Sequence, residues 1–149
     1  RSNGPVADAD AAVLLGALSM QELSERSWRE GVTVLNAGDR HTVAFLVYQG
    51  RVWGVYEQHT QLLTTELLQR NLEEFRLGWL PDEVVRNAGG HGCALLELPP
   101  EAEGFRPTFV FGPRGAAFPG IGKRLQPGDG AASIGICGLL YGIRLRQGA

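Results

Sequence analysis

The three histidines of the chain lie in three short polar segments, residues 36–42, 56–60 and 89–93. Each histidine stands at a predicted strand end or in a glycine-flanked loop, and none lies within an apolar stretch. Polar residues gathered on loops of a rigid scaffold more often serve binding or chemistry than packing. Any one of these histidines could equally well cap and bridge loop backbone, but the three together indicate a functional site.

Imidazole and carboxylate groups are suitable ligands for Zn or Fe. The possible metal ligands are His41, His59 and His91. The candidate catalytic residues are His41, Glu57 and His59, with Asp39 and Cys93 as further groups nearby. No short spacing such as His-x-x-x-His is present, so a metal site is one hypothesis among several.

A cysteine nucleophile is an alternative use of the same segments. Cys93 follows His91 by two positions, and residues two apart on an extended strand share a face. Imidazole next to a thiol can activate it for attack on a substrate. No third group that would orient the pair is evident, so this alternative ranks below the metal site.

The composition is that of an ordinary globular protein, with 149 residues, 44% hydrophobic and 20% charged. It predicts a single domain over residues 1–149. The net charge of −2 gives no reason to expect nucleic acid or a membrane as partner. The longest apolar run, residues 134–143, is too short to span a bilayer, and no signal peptide is visible, so we expect a cytoplasmic location.

The hydrophobic pattern and the turn residues predict an order of elements. A first helix covers residues 11–23, with Asp8 or Asp10 as its cap. Strands are predicted at 32–35, 42–48, 51–56, 94–98 and 108–111, and helices from Thr64 to Gly78, from Pro81 onwards and at 132–145. Three antiparallel strands followed by alternating helices and strands are the ribonuclease-H-like order. We therefore predict an α/β fold with a mixed sheet of about five strands and flanking helices.

This order makes predictions about where the histidines lie. The turn at Gln49-Gly50 sets the hairpin register to within a residue. His41 then faces Gln58 if the turn has two residues, or His59 if the loop has three. In a ribonuclease-H-like sheet, the strand at 94–98 runs parallel to the first strand. His91 would then start at the opposite end of the sheet and reach the other histidines only through a loop folded back over the sheet.

Residues 34–42, Val-Leu-Asn-Ala-Gly-Asp-Arg-His-Thr, resemble the second phosphate-binding hairpin of the actin-like ATPase superfamily of sugar kinases, heat-shock chaperones and actin. Residues 111–115 and 119–121 resemble the Gly-rich adenosine segment of that superfamily. The resemblance implies binding of ATP with Mg²⁺, or of another phosphate-containing small molecule. The implied contacts are Asn36, Gly38, Asp39, Thr42, Gly112 and Gly115. Asn36 departs from the pattern, because the superfamily has an acid there and an amide is a poor magnesium ligand.

A closer resemblance covers most of the chain. Residues 10–18, the loop at Asn36 and residues 57–60, 90–92 and 135–140 are similar to an uncharacterised prokaryotic family. That family is often labelled "putative pyruvate formate-lyase activating enzyme", and its members look like complete two-lobed actin-like proteins. The chain resembles their C-terminal half, which implies an N-terminal lobe of the same protein as a partner. The label itself implies an iron–sulfur cluster on three closely spaced cysteines, and we expect none here because the chain has 2.

Three functions therefore stay open at the level of sequence, and so does whether the chain is an enzyme. The first is a nucleotide- or phosphate-binding half-site, supported by the hairpin and the fold order. The second is a metal-dependent enzyme that uses a cluster of histidines and Glu57. The third is a structural interaction module without catalysis.

Overall fold

The computed structural model describes residues 8–126 and 134–148. The strands are β1 (Val32–Ala37), β2 (His41–Tyr48), β3 (Arg51–His59), β4 (Gly92–Leu95), β5 (Thr108–Phe111) and β6 (Lys123–Arg124). They form a mixed sheet in the order β4-β3-β2-β1-β5-β6. The predicted α/β class with a mixed sheet is confirmed. The described residues form 6 strands rather than about five, because β6 lies in a stretch for which no strand was predicted.

Helices cover both faces of this sheet. They are α1 (Ala9–Leu18), α2 (Gln21–Arg29), α3 (Thr65–Arg76), α4 (Asp82–Asn87) and α5 (Ile134–Gln147), with short 3₁₀ turns at Thr60–Leu62, Pro100–Phe105 and Gly115–Ala117. Helices α1 and α2 pack on one face, α3 and α4 on the other, and α5 packs against α1. Across the described ranges, no helix combines the length and apolar character needed to cross a bilayer.

The prediction of one helix over residues 11–23 was wrong, because two helices occupy this region. Asp8 does cap the first of them, accepting from the backbone N–H of Asp10 at 3.0 Å. The hydroxyl of Ser19 donates to the carbonyl of Gly16 at 2.6 Å. Met20 is then extended, with φ −82° and ψ 123°, so α2 starts afresh after it. Apolar periodicity alone does not reveal such a break.

Alternation along the strands divides the apolar side chains between two cores. Leu35, Leu46 and Tyr56 pack with α3 on one face, which we call the α3 face. Val34, Val43, Phe45 and Phe109 pack with α1 on the other, which we call the α1 face. The partly buried Val55 packs against the α1-face core, so Glu57 and His59, two and four residues further along β3, point to that face as well.

The direction predicted for the strand at 94–98 was also wrong. This strand, β4, pairs antiparallel with β3 at the sheet edge, with Glu57 opposite Gly92. The strand that runs parallel to β1 is β5, with Leu35 opposite Val110. After α3 and α4, the chain forms its next strand at the edge of the sheet beside β3 instead of crossing to lie beside β1. The beginning of β4 therefore lies at the end of the sheet where β1 and β3 finish, and His91 arrives there directly.

The β2–β3 hairpin combines the two registers that the sequence left open. Gln49 and Gly50 form a two-residue turn with φ of 48° and 71°, and Tyr48 faces Arg51 as a two-residue turn requires. A β-bulge then shifts the register, since Leu46 pairs with Gly54 whereas Val47 pairs with Val52. The extra residue in β3 brings His41 opposite His59 at the far end of the ladder.

Candidate metal centre

The three imidazoles converge at one end of the sheet, as the sequence predicted for the first two. The ring centroids of His41 and His59 are 4.9 Å apart. His91 lies 4.7 Å from His41 and 4.9 Å from His59. Each ring offers a nitrogen that lies within 4.8 Å of the other two. The proximity expected for His41 and His59 is confirmed, and His91 joins them without a loop folded back over the sheet.

The spacing of the ring nitrogens can be compared with a metal site. With metal–nitrogen bonds of about 2.05 Å, the corners of a tetrahedron are roughly 3.3 Å apart. The ring nitrogens all lie within 4.8 Å of one another, so each pair would have to move closer by at most about 1.5 Å to bind one ion. The side chains of His41 and His91 are 35% and 47% exposed, so neither ring is fully enclosed by packed side chains.

Thr60 ties the end of β3 to the β1–β2 turn and so holds His41 against His59. Its backbone N–H donates to the carbonyl of Arg40 at 2.8 Å. Its hydroxyl donates to the carbonyl of Gly38 at 2.8 Å and lies 2.9 Å from the buried hydroxyl of Thr42, which therefore donates to it. These bonds satisfy buried polar groups that would be costly to leave unpaired.

Glycines bring His91 to the other two histidines. Gly89 has a φ of 84°, in the left-handed region. At Gly90, a Cβ would lie 2.7 Å from Val85 Cγ1 and 2.8 Å from Gln58 Oε1, so a side chain there would push the loop away. The backbone N–H of His91 then donates to the carbonyl of Glu57 at 3.1 Å. This bond sets His91 beside the end of β3.

Glu57 supplies a carboxylate to the cluster. Its Oε1 atom lies 3.8 Å from Nδ1 of His41 and 3.7 Å from Nδ1 of His91. Its side chain is 31% exposed, comparable with that of His41. The arrangement therefore places three imidazoles and one carboxylate together at a solvent-accessible end of the sheet.

The structure separates Cys93 from this cluster. Cys93 pairs with Tyr56 and packs against the α3-face core, whereas Glu57 points to the α1 face. Burial and, to a lesser extent, the charge of Asp82 together raise the pKa of the Cys93 thiol to about 11, because both disfavour the thiolate. Asp82 itself accepts from the backbone N–H of Cys93 at 2.9 Å, and this bond lowers the pKa of its carboxyl. These features disfavour the nucleophile alternative.

The residues of the predicted phosphate hairpin bond within the chain. The amide Nδ2 of Asn36 donates to Asp10 Oδ1 at 2.9 Å. The backbone N–H of Gly38 donates to the carbonyl of His41 at 2.9 Å and closes the β1–β2 turn. The hydroxyl of Thr42 is buried in the network described above. A phosphate at this hairpin would therefore replace internal hydrogen bonds.

The other predicted phosphate contacts lie beside the end of β1. The exposed carboxylate of Asp39 is 3.8 Å from Nε of Arg114. The backbone N–H of Arg114 donates to the carbonyl of Ala37 at 2.9 Å. Gly112 packs against Ala37, and the N–H of Gly115 donates to the carbonyl of Gly112 at 3.2 Å. The glycine-rich segment and the hairpin are thus neighbours.

Two residues that organise the site, Gln58 and Thr60, were not among the predicted site residues. Gln58 is 1% exposed, and its Oε1 accepts from the backbone N–H of His59 at 2.8 Å. Thr60 links the strand end to the turn, as described above. One feature of the sequence does point to them. Thr42, Gln58 and Thr60 are polar residues at strand positions that alternate with His41, Glu57 and His59. Buried polar side chains at strand ends need partners, and those partners are the backbone groups that shape a site.

A protein-family model matches residues 1–117, and its description reads "Putative pyruvate format-lyase activating enzyme (DUF1786)". The chain belongs to this family. The matched region includes all three histidines, Glu57 and the β1–β2 hairpin. No curated protein matches the chain.

Proposed function

We propose that this member of the family binds one divalent transition-metal ion, Zn²⁺ or Fe²⁺, through His41, His59 and His91, and that it is a metal-dependent enzyme. The observation that carries the proposal is the convergence of three imidazoles from three separate segments, with ring centroids 4.7 to 4.9 Å apart. Three imidazolium charges this close would repel one another, whereas three neutral imidazoles can share one cation. Imidazole ligands favour Zn or Fe over Mg or Ca.

The donor set also indicates what the metal would do. Three protein ligands leave a fourth position for water or substrate, which is typical of catalytic rather than structural zinc sites. The exposure of His41 and His91 leaves the solvent side of the centre open. A metal in such a position lowers the pKa of bound water and polarises a carbonyl or phosphoryl oxygen. The reaction class that fits is attack of metal-activated water on a small substrate.

Metal binding can be measured directly. The metal-free chain, titrated with Zn²⁺ in a calorimeter and checked by elemental analysis, should bind one ion. His59→Ala removes one of three ligands and should weaken binding by about 100-fold, since losing even a hydrogen-bond partner of a ligand typically costs 10- to 100-fold. Gln69→Ala, on the exposed surface of α3, is the matched control and should bind like the parent chain. A parent chain that keeps its circular dichroism spectrum and binds no Zn²⁺, Fe²⁺ or Co²⁺ would refute the proposal.

A nucleotide- or phosphate-binding half-site is the second candidate, and two observations favour it. The order β3-β2-β1-β5-β6, with β5 parallel to β1 and β6 parallel to β5, supports a ribonuclease-H-like lobe of the actin-like kind. Gly112 lies against Ala37 and so brings the glycine-rich segment to the hairpin. Mg²⁺-ATP would lie between this lobe and an N-terminal lobe, near Asn36.

Asn36→Asp tests this second candidate. The amide of Asn36 donates to a carboxylate oxygen of Asp10, so the variant places two carboxylates together. Carboxylate oxygens are the ligands that Mg²⁺ prefers, and we expect tighter Mg²⁺-dependent binding of ATP or ADP. Calorimetry with and without Mg²⁺ measures the change. The double variant with Asp10→Asn keeps the new carboxylate at position 36 and removes its repulsion by Asp10, so it should bind Mg²⁺ and nucleotide at least as tightly as Asn36→Asp. No binding of ATP, ADP or phosphate by any of these forms, with or without a partner lobe, would remove the nucleotide candidate.

A further inference from the structure

We propose that Glu57 is the positioning residue of the metal centre, and that its carboxylate accepts hydrogen bonds from Nδ1 of both His41 and His91, which then bind the metal through Nε2. This inference rests on the proposed metal-binding function and adds to it the ligand atoms and the role of the acid. It distinguishes Glu57 from a fourth ligand.

The first argument is the orientation of the rings. The same Glu57 oxygen lies 3.8 Å from Nδ1 of His41 and 3.7 Å from Nδ1 of His91. A carboxylate beside Nδ1 favours the tautomer that carries the proton there, and the lone pair is then on Nε2. Carboxylate–histidine–metal arrangements of this kind set the ring orientation and raise the basicity of the ligand. One carboxylate would serve two ligands here.

The second argument is the position of Glu57 within the sheet. Its cross-strand neighbours are Val43 on β2 and Gly92 on β4. Val43 is buried and apolar, and Gly92 has no side chain, so neither competes for the two Nδ1 atoms. The carbonyl of Glu57 also accepts from the backbone N–H of His91. Glu57 therefore holds His91 through its main chain and its side chain at once.

The third argument concerns distance. The separations of 3.7 and 3.8 Å exceed a charge-assisted hydrogen bond by roughly 0.9 to 1 Å. The ring nitrogens must also approach one another to bind one ion, as calculated above. Both contractions require His41 and His91 to rotate inward, and both rings are partly exposed on the solvent side. Metal binding and the carboxylate contacts would then reinforce each other.

Zinc affinities of Glu57→Ala and Glu57→Gln test whether the carboxylate supports the metal centre. We expect one Zn²⁺ per chain in both variants, with affinity 10- to 100-fold weaker in Glu57→Ala, which is the usual effect of losing such a partner. Glu57→Gln keeps an acceptor oxygen but loses the charge, so its affinity should lie in between. Glu97→Gln, at an exposed position just after β4, is the matched control. Competition with a chromogenic chelator measures all four proteins.

Nitrogen-15 NMR of the histidine rings in the zinc-loaded chain tests the ligand atoms. We expect a proton on Nδ1 and the metal on Nε2 in both His41 and His91. Metal on Nδ1 of either ring would overturn the inference, as would zinc affinity of Glu57→Ala within twofold of the parent chain. Either result leaves the three-histidine centre itself intact. Absence of zinc binding by the parent chain is the distinct outcome that overturns the proposed function together with this inference.

Discussion

Saturating Zn²⁺ is expected to raise the thermal unfolding midpoint of this chain by roughly 10 °C when the ion is present at about 1,000 times its dissociation constant. A ligand that binds only the folded state at that excess stabilises it by about 4 kcal/mol. For a chain of 149 residues, each kcal/mol corresponds to about 3 °C. The stabilisation arises because the ion holds three separate segments together: the start of β2, the end of β3 and the loop before β4.

Scanning calorimetry with and without the ion measures this increase, and a chelator should reverse it. His59→Ala should remove most of the increase while changing the metal-free midpoint little, because His59 is only partly buried. Gln69→Ala should retain the full increase. A midpoint that rises equally in His59→Ala and the parent chain would show that the ion binds elsewhere.

The proximity of His41 and His59 could be predicted because a hairpin is a local structure. The turn at Gln49 and Gly50 restricts the register to two choices, and both place the two histidines within a residue of each other. Which choice is realised depends on the bulge opposite Leu46 and Val47. No residue pattern specified this bulge, because it depends on how the side chains around it pack.

The placement of His91 could not be predicted, because it depends on a non-local strand pairing. An apolar strand of four residues can pair at either edge of the sheet or in either direction. The ribonuclease-H-like order implied that this strand runs parallel to β1, whereas β4 pairs antiparallel with β3. The carboxylate of Asp82 on α4 accepts a hydrogen bond from the backbone N–H of Cys93 and so helps to fix this position of β4. The apolar periodicity of a sequence does not reveal a hydrogen bond between a strand and a side chain at the start of a helix.

The predicted phosphate contacts show a different limit. Asn36, Gly38 and Thr42 were recognised from a motif, and they do lie at the carboxyl end of β1 or across the turn from it. The motif could not show that their polar groups bond to Asp10, His41 and Thr60. Glycine-containing turns between strands look alike in sequence, whether they surround a ligand or close on themselves. Side-chain partners from distant elements make the difference.

Gly112→Ala is expected to destabilise the chain by about 2 to 6 kcal/mol, a large part of the stability of a typical domain. Gly112 has a φ of 93°, which costs a residue with a side chain about 1 to 3 kcal/mol. A Cβ there would also overlap the carbonyl oxygen of Ala37 and lie 2.7 Å from Oδ1 of Asn36. Relieving such an overlap by backbone shifts costs about 1 to 3 kcal/mol more. Urea unfolding followed by circular dichroism measures the loss.

Gly120→Ala separates the cost of the backbone conformation from the cost of the steric overlap. Gly120 has a comparable φ of 78°, but a Cβ there would meet nothing within 4 Å, so only the backbone strain applies. We expect Gly112→Ala to cost about 1 to 3 kcal/mol more than Gly120→Ala. The reason is that the carbonyl of Ala37 already accepts from the N–H of Arg114 and cannot retreat without breaking that bond. Equal losses in the two variants would mean that the backbone around Gly112 can shift at little cost. The contact between Gly112 and Ala37 would then not hold the turn that leads to His41.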